Sequence, residues 1–86
     1  MPMISFFYGI IIRMFFSDHA QPHFHAQNGE YKAIISILDL KLIEGELPRR
    51  ALGLILDWAE LHQKELLDNW SLAANNEMPN SIKPLE

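Results

Sequence analysis

From Ile4 to Phe16 the chain is almost continuously apolar, whereas from Leu52 to Ala74 apolar residues recur at helical intervals. These two patterns divide it into a β-like half and a helical half. The first run is rich in Ile and Phe, which suit a half-buried pleated surface. Side chains alternate across a strand, so Ile4, Phe6, Tyr8, Ile10, Ile12, Met14 and Phe16 are assigned to the core face and Arg13 to the mixed face. Gly9 predicts a bulge or bend within one strand over 4–16. After a turn at Ser17–Gln21, a second strand is expected over 22–27, with Phe24 and Ala26 on one face and His23 and His25 on the other. Asn28-Gly29 is a hairpin signal. A third strand over 30–38 and a short fourth over 40–44, ending at Gly45, complete the sheet.

Pro48 opens the helical half, as proline suits a first helical position. One broad stripe holds Leu52, Leu56, Ala59, Leu66, Leu67, Trp70 and Ala74, and a second holds Leu54, Trp58 and Leu61. The region 48–74 is either one long helix or two, because His62–Lys64 is polar on several sides. Asn75-Asn76 and Pro79 stop it. The expected architecture is α+β. A three- to four-stranded antiparallel sheet is followed by one long or two consecutive helices packed on one sheet face. The domain spans residues 1–75, and 76–86 form a polar tail that frays or packs thinly.

Composition narrows the classes. Eighty-six residues make one domain, and 49% hydrophobic with 21% charged residues is globular rather than disordered. Cysteine is absent, which removes disulfides, a thiol nucleophile and thiolate metal ligands. The net charge of −4 opposes a protein that coats nucleic acid. The apolar N-terminal run has its only base, Arg13, inside it and ends too soon for a membrane span, so a cytoplasmic protein is expected.

Chemistry concentrates in Asp18–Ala26, which holds three of the four histidines. On a strand His23 and His25 point the same way, about 7 Å apart. His19 or Asp18 in the preceding turn can complete a set of ligands suited to zinc, nickel or copper, zinc or nickel being the cofactors expected. Solvated surface histidines are the competing reading. Pairing across the five-residue turn makes opposed residue numbers sum to about 38, which sets Arg13 opposite His25 and Phe15 opposite His23. An arginine beside histidines can hold a phosphate or support acid–base catalysis, so His23, His25 and Arg13 are the catalytic candidates. The competing role for Arg13 is pairing with Glu30 or Asp18. Arg49 and Arg50 are further anion-binding candidates, although Glu44 and Glu46 offer simple compensation. No P-loop, dinucleotide fingerprint, nucleophile elbow or HExxH is present.

The segments FYGIIIRMFFSDHAQPHFHA, NGEYKAIISI, EGELPRRAL and DWAELHQKELLDNW resemble a small bacterial family catalogued as domain of unknown function 4160, over about residues 1–75. The resemblance implies a context rather than an activity. Such proteins look like halves of two-gene units similar to toxin–antitoxin pairs. The strand order with an early histidine also looks like small toxins that cut RNA on a fold similar to double-stranded-RNA-binding domains. Fold-level likeness does not fix function.

The leading expectation is therefore a non-enzymatic interaction protein that binds a second small protein encoded nearby, or itself, through Leu54, Trp58 and Leu61. The alternatives are a histidine-dependent ribonuclease-like toxin or RNA- or anion-binding protein, with RNA disfavoured by the net charge, and a metal-binding protein using His19, His23, His25 and Asp18.

Overall fold

A computed structural model describes residues 3–15 and 21–86. Five strands come first: β1 (Met3–Phe7), β2 (Ile10–Arg13), β3 (His23–Asn28), β4 (Tyr31–Ser36) and β5 (Leu42–Gly45). They form one antiparallel sheet in chain order. Two helices follow, α1 (Arg49–Leu61) and α2 (Gln63–Ala74). The α+β class and the helices after the sheet are as expected, but the sheet has five strands where three or four were anticipated.

The extra strand comes from the stretch 4–16, which is a hairpin rather than one bent strand. Tyr8 and Gly9 reverse the chain with φ of 48° and 76°. Positive φ at both loop residues matches the twist of paired strands. The Asn28 side-chain amide donates to the Gly9 carbonyl at 3.2 Å and ties the turn to β3. Such a short reversal needs no polar loop, so the apolar run passes through it without a compositional break. The register also shifts between Met3 and Ser5. Parity changes as a result. Ile4, Phe7, Ile10, Ile12 and Met14 are buried, whereas Phe6 and Tyr8 are 54% and 62% exposed.

The second hairpin turns at Gly29-Glu30, one residue later than expected, because Asn28 still pairs with Tyr31. β4 ends at Ser36 rather than 38. There the Ser36 carbonyl accepts from the Leu40 N–H, its N–H donates to the Lys41 carbonyl, and its hydroxyl accepts from the Asp39 N–H. That compact turn moves β5 to 42–45 in place of 40–44. Gly45 has φ of 84°, and a Cβ there would fall on the Lys32 carbonyl.

The helical region is two helices, broken at His62 (φ −117°, ψ 22°). The His62 ring bonds the Glu65 carboxylate at 2.6 Å. Ala51, Ile55, Trp58 and Ala59 of α1 face the sheet, followed by Leu66, Asn69 and Ala73 of α2. The expected stripe through Leu52 and Leu56 is only half-buried. Trp58 sits between Phe7 and Phe24, with ring centroids 5.3 and 5.8 Å away. α2 ends with Asn76 in a left-handed conformation at φ 60°. The Glu77 and Asn76 N–H groups bond back to the Leu72 and Ala73 carbonyls, which satisfies carbonyls the helix end would otherwise leave open.

Beyond the helix the chain docks instead of fraying. The Ile82 N–H bonds the Ile4 carbonyl at 2.7 Å, on the outer edge of β1. Trp58 Nε1–H donates to the Lys83 carbonyl at 2.9 Å. Buried Asn69 accepts from the Asn80 N–H and donates to the Asn80 carbonyl. Three apolar residues, Met78, Ile82 and Leu85, are few for a tail, but polar anchors on the helices hold the backbone between them. Only Ile82 of the three is fully buried.

Two stability outcomes follow. Gly45→Ala strains the β4–β5 pair and is expected to lower unfolding free energy by about 1–3 kcal/mol in urea. Asn69→Ala leaves the Asn80 backbone without partners. It should cost about 1–3 kcal/mol and make the Ile82 amide exchange faster than core amides.

Candidate functional site

Because both helices lie on one side, the alternation that buries Phe24, Ala26, Ala33 and Ile35 turns their neighbours to the opposite face. Strand register arranges those neighbours in rows. One row crosses all five strands as Met3, Arg13, His25, Ile34 and Glu44. The next crosses four as Phe6, Ile11, Gln27 and Lys32. A groove of about 350 Å³ runs over this face. Ile11, Phe15 and Ile34 give it an apolar floor, and Arg13, His25, Gln27, Lys32 and Glu44 supply polar groups. Met3 and Phe6 stand at its side, each 54% exposed.

Arg13 lies opposite His25, the register that the five-residue turn implied. It is half-buried and donates from Nη1 to the Gln27 side-chain carbonyl at 2.8 Å. The Gln27 amide group in turn donates to the Gly29 carbonyl at 3.2 Å. Arg13 makes no ion pair with a described residue, Glu30 included; the pairs among described residues are His62–Glu65 and Lys83–Glu86. Among the described residues the guanidinium is thus oriented by an amide and has no carboxylate paired with it.

His25 is half-buried, with the Phe15 ring 4.1 Å away and the His23 ring 5.2 Å away, both edge-on. The aromatic contact of Phe15 is therefore with His25, not with His23. His23 has a different environment. It is 6% exposed, packs at 5.0 Å against Trp70 of α2, and donates from Nδ1 to the Gln21 carbonyl at 2.8 Å. The two histidines are neighbours as expected, but only His25 lines the groove. His23 closes the seam between sheet and helix, a role hidden from the sequence because its contact with Trp70 is tertiary. Asp18 and His19 lie outside the described residues. Among the described residues no group of three His, Asp or Glu side chains is placed to hold a metal ion.

The remaining candidates separate. Arg49 and Arg50 are exposed at the start of α1 and form no ion pair with Glu44 or Glu46. The expected interface stripe does not form a continuous surface. Trp58 is fully buried, Leu54 is half-buried and Leu61 is 71% exposed. The physical reason is the roll of α1. It points Ile55 and Trp58 together into the sheet, so Trp58 has no surface to offer. Phe6, Gln27, Lys32, Ile34 and Glu44 were missed as site residues. Extending the register sums from the expected Asn28-Gly29 turn would have set His25 opposite Lys32; the turn at Gly29-Glu30 sets it opposite Ile34 instead, so this row was not legible along the chain. Phe6 was misassigned with the unseen Tyr8-Gly9 reversal.

A family model described as domain of unknown function (DUF4160) matches residues 9–71. The chain belongs to this family. The family match spans β2 to most of α2, so it includes Arg13, His25, Gln27, Lys32, Ile34 and Glu44. It leaves out β1, with Met3 and Phe6, and the docked tail. No curated protein and no solved structure matches the chain. Among the described residues no helix is long and apolar enough to cross a membrane.

The contrast between the two histidines is measurable. His23→Ala removes a buried, hydrogen-bonded ring and should lower stability by about 2 kcal/mol in urea, with a change in Trp70 fluorescence. His25→Ala, half-exposed in the groove, should cost under about 1 kcal/mol by the same assay.

Proposed function

We propose that this protein is the interaction component of a cytoplasmic two-protein module, and that it docks its partner on the uncovered face of the sheet. One observation carries the reading. Met3 and Phe6 are more than half exposed beside a groove floored by Ile11, Phe15 and Ile34, on a face that neither helix covers. Apolar side chains grouped in this way at a polar-rimmed groove mark a binding surface. The family resemblance, with its two-gene context, supports a partner encoded beside this chain. The sheet replaces the helix face as the docking surface because Trp58 belongs to the core.

Two features speak against the ribonuclease-like alternative. Acid–base cleavage of RNA needs two groups that reach the substrate, and His23 is enclosed by Trp70 with Nδ1 committed to a backbone carbonyl. The net charge of −4 also repels a polyphosphate chain.

Co-expression with the product of the adjacent reading frame, followed by light scattering and calorimetry, tests the proposal. A stable complex is expected, and Phe6→Asp should weaken it at least about tenfold without moving the urea midpoint. Absence of a complex, or a complex indifferent to Phe6→Asp, overturns it.

A further inference from the structure

The central row of the open face is electrically polar. It starts at Arg13, passes His25 and Ile34, and ends at Glu44. Three strand spacings separate the ends, about 14 Å. Arg13 is half-buried, is oriented by Gln27, and lacks a carboxylate among the described residues. Glu44, exposed at the far rim, has no cation paired with it there. Apolar floor lies between them.

Resting on the docking function proposed above, we infer that this groove recognises a short partner segment of matching polarity. The segment carries a carboxylate for Arg13, an apolar side chain for the Ile11–Ile34 floor and a cation for Glu44. In an extended chain the two charges stand about four residues apart. A guanidinium fork suits a carboxylate because both are planar and can form two parallel hydrogen bonds. Arg13 and Lys32 make this groove a favourable place for a single negative group in a chain that is acidic overall. A run of phosphates fits poorly, since Glu44 repels its second charge. Another copy of the chain fits poorly for reasons of area. The two rows cover roughly 200–300 Å², against about 800 Å² per partner in a stable interface.

The test uses a probe that carries the three features and nothing else: a medium-chain linear ω-amino carboxylic acid, titrated into the full chain and followed by amide NMR. The fatty acid and the alkylamine of equal length serve as controls. The ω-amino acid should shift the His25, Gln27 and Ile34 amides and bind more tightly than either control. Arg13→Gln should weaken it about tenfold, and Glu44→Gln should remove its advantage over the fatty acid. Glu44 is exposed, so that variant keeps its fold and isolates the charge.

Equal binding of fatty acid and ω-amino acid, or no shifts at all, overturns the inference. So does stronger displacement of the same amides by a short RNA, or their broadening with protein concentration alone. If the partner complex is broken by Phe6→Asp yet indifferent to Arg13→Gln and Glu44→Gln, the recognition inference falls while docking on this face stands. If no partner complex forms, the docking function falls, and the probe titration still decides what the groove accepts.

Discussion

Burial of the Trp58 indole is the interaction on which the other elements depend. It lies between Phe7 of β1 and Phe24 of β3, and its N–H holds the tail at the Lys83 carbonyl. Removing an indole of this kind from water contributes about 5 kcal/mol at usual transfer values, a large share of the stability of a small domain. The contact fixes how α1 rolls on the sheet. That roll places Leu54 on a flank, exposes Leu61 and commits both helices to one face. The groove lies on the other face.

The same two-residue alternation builds the core and the groove. Ile12, Ala26 and Ala33 form a row toward the helices, while Arg13, His25 and Ile34, one residue along, form a row away from them. The groove is thus the reverse side of the core, and its residues are held by the strands that hold the fold. Chemistry on this face is positioned by backbone pairing, which is stiffer than a loop. The edges differ in protection. On β1 the tail hydrogen-bonds the Ile4 carbonyl, whereas β5 is short and irregularly paired, which limits further strand addition.

Much of this was legible along the chain. The class, the two-part order, the Asn75–Asn76 stop and the register of Arg13 with His25 all follow from periodicity and loop length. The breaks that carried no composition signal were missed. Tyr8-Gly9 reverses the chain inside an apolar run, and the tail is held by polar anchors, Asn69 and the Trp58 N–H, that do not show in hydrophobic periodicity. The histidine cluster illustrates the same limit. Sequence made His23 and His25 neighbours, and their rings lie 5.2 Å apart, but only packing distinguished a ring against Trp70 from one that lines a groove.

By itself the sequence determined what acts over a few residues: the strand-forming and helix-forming halves, the helical period, the Asn75–Asn76 stop and the pairing of Arg13 with His25. These depend on local backbone geometry and on which side chains avoid water. Tertiary structure decided the roll of α1, the docking of the tail and the separate roles of His23 and His25. It also assembled Arg13, Ile34 and Glu44, far apart in the chain, into one polar row. Such choices depend on which surfaces compete for the same buried space, and Trp58 can fill only one place in it.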